Sequence, residues 1–126
     1  MAKWLSEEWF AQAVRLAADQ PLRPGASARM QFVLTGGPQG KTTYYWVVED
    51  GRLVRAGPGE LDDAEVTLTQ TWEDAEAIHR GELDAAAAFM QGRTKVSGEM
   101  GRLLAVLAAS SSPEHRAWQK KLAATL

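Results

Sequence analysis

His79 and His115 are the side chains best suited to proton transfer or metal ligation, and they stand far apart in the chain. A metal site needs three or four ligands at set spacings, and neither histidine has a spaced histidine or carboxylate companion. His79 follows the apolar Ile78 and lies three residues after Glu76, a spacing that reads as a surface ion pair. Ser97 sits in the run VSGE without a nucleophile-elbow pattern, and no serine has a base marked in sequence. Glu60, Asp62 and Asp63 read as a solvated loop, with nothing beside them to make a paired acid and base. The run from Gly36 to Thr42 nearly matches a phosphate-binding loop, but Thr35 stands where the first glycine is required. That motif also needs a helix N-terminus facing the phosphate, whereas Thr43–Val48 reads as a strand, so the run is a hairpin loop. With no cysteine, thiolate ligands and thiol catalysis drop out too. The expectation is a protein with no catalytic set, no metal and no cofactor.

Composition narrows the class further. A chain of 126 residues, 45% hydrophobic and 24% charged, has the proportions of one globular domain spanning residues 1–126. Its net charge of −2 supplies no field to draw nucleic acid or an anionic membrane. The opening MAKWLSEEWF places two glutamates where a signal peptide needs its apolar run. No apolar segment approaches the roughly 20 residues of a membrane span. The expected setting is soluble and cytoplasmic.

The elements that must position any site follow from periodicity and punctuation. Ser6 caps a helix reaching about Asp19, with Trp9, Phe10, Ala13, Leu16 and Ala17 on its apolar face. From Ala28 the period becomes two, turning Met30, Phe32 and Leu34 to one side of a strand. Thr42–Glu49 is a second strand, and Asp50-Gly51 predicts a type I′ turn into Arg52–Ala56. That turn sets Val48 opposite Leu53, Val47 opposite Val54 and Trp46 opposite Arg55. Both faces of this hairpin then carry apolar groups, and the face turned from the helices meets a partner or water. Glu65–Thr69 is a fourth strand with Val66 and Leu68 inward. Thr71 and Asp74 cap a helix carrying Trp72, Ala75 and Ile78, which stops at Gly81. Asp84 caps a short alanine helix ending in Phe89-Met90, with Gly92 as a left-handed stop. Arg93–Ser97 is a short strand broken by Gly98. The helix after it sets Met100, Leu103, Leu104 and Leu107 in one stripe. Ser112 and Pro113 open a last helix with Trp118, Leu122 and Leu126 at intervals of four. The order is α+β, with antiparallel pairing around the hairpins. By pattern alone the apolar residues of the last three helices suit a closed core best, although methionines also suit a surface that re-packs around varied ligands.

Gly81, Phe89, Gly92, Arg93, Val96, Gly98 and Met100-Gly101, in this order, resemble the sterol carrier protein-2 (SCP2) lipid-binding domain. The Asp63–Leu68 strand and the Trp72–Gly81 helix continue the likeness, which runs more weakly back to Phe32. Thr94 stands where that family usually has a hydrophobic residue, and Glu99 where it usually has Asp or Asn. The resemblance implies a five-stranded, largely antiparallel sheet with one face covered by about five helices. It implies no enzyme activity, only non-covalent binding and transfer of fatty acid, fatty acyl-CoA, sterol-like or isoprenoid lipid in an apolar tunnel between the layers. Carried onto this chain, the walls would be Phe32, Leu34, Ile78, Phe89, Met90, Met100, Leu103, Leu104 and Leu107, with Trp118 and Leu122 near the mouth. The last helix would gate that mouth, and an exposed Leu122 and Leu126 would touch a donor membrane transiently. The alternative is an interaction module with a filled core, forming a homodimer or docking an enzyme through the outer face of the Tyr44–Ala56 hairpin.

Overall fold

Ser6 starts the first helix as its sequence position suggests: its hydroxyl accepts the Trp9 N–H at 3.2 Å, and Glu7 and Glu8 occupy the first turn. This helix, α1 (Glu7–Ala17), buries Trp9, Phe10, Ala13 and Ala17. The computed structural model describes residues 4–18, 20–38, 40–110 and 113–123. Strands β1 (Ala28–Gly37), β2 (Gly40–Glu49), β3 (Arg52–Pro58) and β4 (Val66–Thr71) follow α1. Then come α2 (Trp72–His79), α3 (Ala85–Met90), β5 (Lys95–Gly98), α4 (Met100–Ser110) and α5 (Pro113–Ala123). The Ser112 cap and the Leu126 end of the apolar edge lie outside the described residues, as does Asp19.

The sheet order is β3-β2-β1-β4-β5. Its pairs are antiparallel except β1 with β4, which run parallel and bring the two halves of the chain together at the centre. Asp50 and Gly51 have φ of 48° and 85°, as a type I′ turn requires. The register after that turn departs from the even pairing expected. Val48 does face Leu53, but Val47 faces Arg55 and Trp46 faces Ala56, leaving Val54 as the extra residue of a bulge. An unbroken strand would have put Arg55 on the same side as Leu53, against the helices. The bulge leaves both Val54 and Arg55 exposed and turns the small Ala56 toward the core. Arg55 then lies over the Tyr45 ring at 5.4 Å.

Alternation assigns the two faces. Met30, Leu34, Tyr44, Val48, Leu53, Val66 and Leu68 join Trp9, Phe10, Leu103, Trp118 and Leu122 in one buried core beneath the helices. The opposite face carries Gln31, Thr43, Tyr45, Thr67 and Thr69. Phe32 and Tyr44 are cross-strand partners, and their rings stack at 4.7 Å.

The capped helices of the second half behave as their sequences indicate. The Thr71 hydroxyl accepts from Asp74 N–H at 3.1 Å, and an Asp84 carboxylate oxygen accepts from Ala87 N–H at 3.0 Å. Gly92 ends α3 with φ of 76°. The last strand begins at Lys95 rather than Arg93, because Arg93 and Thr94 donate their N–H groups to Ala88 at the end of α3. Gly98, with φ of 113°, lies so close to β4 that an added Cβ would stand 2.2 Å from the Glu65 carbonyl oxygen. Only glycine permits that approach, which also lets Glu99 N–H reach the same oxygen at 2.9 Å.

Candidate functional site: an apolar cavity between sheet and helices

Between the layers lies a cavity of about 170 Å³. Its sheet side is built from Met30, Phe32, Tyr44, Trp46, Val48, Leu53, Leu68 and Gln70. The helices close it with Trp4 and Trp9 at the N-terminal end, Ala75, Ile78 and His79 of α2, and Ala85 and Phe89 of α3. Leu103, Val106 and Leu107 of α4 and Trp118, Gln119 and Leu122 of α5 complete it. Asp84, the one carboxylate on the wall among the described residues, is exposed and so marks a side where the cavity reaches solvent.

Seven of the side chains expected to surround a ligand therefore meet here: Phe32, Ile78, Phe89, Leu103, Leu107, Trp118 and Leu122. Four do not. Leu34 is fully buried in the core without reaching the cavity. Met90 is 83% exposed at the end of α3, and Met100 and Leu104 are exposed on α4. The α4 stripe is wider than the surface it covers. The row of Leu103, Val106 and Leu107 faces inward, and the row of Met100 and Leu104 beside it faces out. Leu122, expected near the mouth, is only 2% exposed. Its helix is held down: Trp118 Nε1 donates to the Ala13 carbonyl at 3.1 Å and Gln119 Nε2 to the Ile78 carbonyl at 2.5 Å.

The polar groups in this wall are the ones sequence reasoning missed. Thr94 is buried, and its hydroxyl donates to Gln70 Oε1 at 3.0 Å, which explains a threonine at a position where an apolar residue would otherwise fit. His79 is no surface ion-pair residue. It is 8% exposed, stacked on Trp4 at 5.4 Å and edge-on to Trp9 at 5.4 Å. Burial, with the Arg80 charge next to it, lowers its pKa to about 4, so the ring is neutral at pH 7. Glu76 pairs instead with Arg80, one turn on at 3.6 Å. The spacing of His79 four residues after the buried Ala75 is the signal that places it inward. Burial also pushes the Tyr44 phenol well above its usual range. The indole nitrogens of Trp9 and Trp46 and Nε2 of His79 are buried and have no hydrogen-bond partner among the described residues.

Among the described residues no group of three histidine or acidic side chains could hold a metal, and the side chain of His115 lies outside them. Among the same residues no helix is long and apolar enough to cross a membrane.

Comparison with solved structures places the fold. A crystal structure of sterol carrier protein 2 superposes with a TM-score of 0.71 at 14% identity, covering 94% of this chain and 98% of its own. A conserved hypothetical protein of Thermus thermophilus gives 0.70 at 16% identity, covering 95% and 90%. The palmitated SCP2L2 protein of Aedes aegypti gives 0.60 at 22% identity, covering 84% and 93%. These identities speak for the fold alone. A search of curated proteins returned no match. The model of the SCP-2 sterol transfer family matches residues 8–109, most of the chain from α1 to the end of α4. The chain therefore belongs to the SCP-2 sterol transfer family.

Proposed function

We propose that this protein binds one apolar lipid chain non-covalently in the cavity between its sheet and helices and passes it on unchanged. The observation that carries the reading is a cavity lined mainly by apolar side chains from both layers, with the exposed Asp84 its only carboxylate among the described residues. Each methylene moved from water into such a site gains about 0.8 kcal/mol, so a chain needs no charged anchor. Part of that gain is offset by the ordering of the chain on binding. Family membership supports the same ligand class, and the similar SCP2L2 protein from Aedes aegypti, itself palmitated, is in keeping with it.

The volume adds a condition. About 170 Å³ is close to the size of an engineered apolar cavity that takes benzene, roughly 150 Å³. A long acyl chain must therefore spread the helices from the sheet as it enters. Contact with a donor membrane falls to the exposed Met90, Met100 and Leu104, not to Leu122. Docking or dimerisation through the outer face of the Tyr44–Ala56 hairpin is the weaker reading. It requires a filled core, and Arg55 already covers Tyr45 on that face.

The test combines lipid extraction of the purified protein, read by mass spectrometry, with uptake of a fluorescent fatty acid. The carrier reading expects bound lipid, or saturable uptake at one site per chain. Leu107→Trp, which fills the cavity, should lower uptake about ten-fold, whereas Leu104→Trp on the outer row should leave it near wild type. Absence of both lipid and uptake, or equal effects of the two substitutions, overturns it.

A further inference from the structure

Three buried polar atoms on rings that line the cavity have no use in a purely apolar carrier. Trp9 of α1, Trp46 of β2 and His79 of α2 all stand on the cavity wall. Their rings meet: Trp9 lies 5.4 Å from His79 at 77° and 6.4 Å from Trp46 at 39°. Trp9 is 2% and His79 8% exposed. Trp9 Nε1, Trp46 Nε1 and His79 Nε2 are buried without a partner among the described residues. Trp118, on the same wall, donates its indole N–H to Ala13. The fold can thus satisfy an indole when only structure is at stake. A buried donor left unpaired is unfavourable, and a ligand that brings an oxygen to it removes that cost.

The kind of oxygen follows from the charges. Among the described residues the wall carries no lysine or arginine, and its one fixed charge there is the carboxylate of Asp84. A carboxylate head buried against the three rings would have no cation to pair with, since the His79 ring is itself neutral at pH 7. A hydroxyl or carbonyl oxygen carries no such cost. It can accept from an indole N–H, and a hydroxyl can also donate to His79 Nε2 or accept from it, whichever tautomer is present.

We propose that Trp9, Trp46 and His79 form a polar patch on the cavity wall and select an apolar ligand bearing one neutral oxygen, a hydroxyl or carbonyl, over a free carboxylate. This rests on the cavity being the lipid site. It names the head group that the site recognises.

The experiment compares three eight-carbon probes, octane, octan-1-ol and octanoate at pH 8, by competition against a fluorescent fatty acid. The alcohol should bind at least ten-fold tighter than the alkane and tighter than octanoate. Trp46→Phe keeps a ring in place and removes the N–H, so the ratio of alcohol to alkane affinity should fall most of the way towards one, whatever the change in octane binding itself. Should Trp46→Phe fold poorly, ¹⁵N spectra of the unaltered protein give the same answer. The Trp9 and Trp46 indole N–H signals should shift with the alcohol and not with the alkane. Equal binding of alkane and alcohol overturns the head-group proposal and leaves the carrier reading standing, as does tightest binding of octanoate. No binding of any probe overturns both.

Discussion

His79 shows what burial does to a single side chain. It sits between Trp4 and Trp9 and stays neutral down to a pKa of about 4, against about 6.5 in an unfolded chain. The folded form therefore binds its proton less readily than the unfolded form. Stability contributed by the neutral ring is complete above pH 6.5, falls by about 1.4 kcal/mol per pH unit below it, and levels off below pH 4. The total is about 3 kcal/mol, carried mainly by desolvation and helped by the Arg80 charge. His79→Phe retains an aromatic ring against Trp4 and cannot protonate. Urea unfolding from pH 7.5 to 4 should then show a shallower loss of stability for His79→Phe than for the wild type. Parallel curves would mean that the imidazole gains access to water in the folded state. Glutamates and aspartates also titrate near the acid end, so the difference between the two proteins is the informative quantity.

At the scale of elements, α5 belongs to the wall. Trp118 and Leu122 line the cavity, Trp118 meets the Trp46 ring edge-on at 5.6 Å, and hydrogen bonds tie the helix to α1 and α2. If α5 gates the cavity, opening requires these ties to break in a local unfolding event. Trp118→Phe removes the bond to Ala13 and keeps an aromatic ring at the position. It should cost about 1 kcal/mol of stability and speed release of a bound fluorescent fatty acid several-fold. Unchanged release with lowered stability would make α5 a fixed wall, and the ligand would then pass elsewhere, beside Asp84 and α3.

The same elements show what a sequence carries. Element order, the caps at Ser6, Thr71 and Asp84, the Asp50-Gly51 turn and the Gly98 break are all legible, because each depends on residues within one turn of the chain. The edges of faces are not. Met100 and Leu104 are as apolar as Leu103 and Leu107, and only the width of the neighbouring sheet decides which row is covered. The β2–β3 bulge leaves no mark in the pattern, since Val54 alternates correctly until its partner strand is set beside it. His79 misleads because Glu76 offers it a charge partner, while the rings that take it, Trp4 and Trp9, lie far back in the sequence.

At the scale of the whole molecule, the cavity exists because the central β1–β4 pair joins a first half rich in aromatic side chains to a second half rich in alanine and leucine. From the first half Trp9, Tyr44 and Trp46 supply bulky rings to the wall, and from the second half Ala75, Ala85 and Leu103 supply smaller side chains. Side chains of such different sizes do not close completely, and interior space left without partner atoms forfeits dispersion energy. A ligand that fills it returns that energy to the folded state alone. Binding to the native form and not to the unfolded chain stabilises it by an amount set by ligand concentration over Kd, about 2.7 kcal/mol at one hundred times Kd. Delipidated protein should accordingly melt several degrees below protein saturated with a fatty alcohol, and the interval should widen with the logarithm of ligand concentration. Leu107→Trp fills part of the cavity from within, so its ligand-free form should lose less to the void and gain less from added alcohol. Calorimetry on the four samples checks the argument. A ligand-dependent shift of equal size in both proteins would place the ligand outside the cavity.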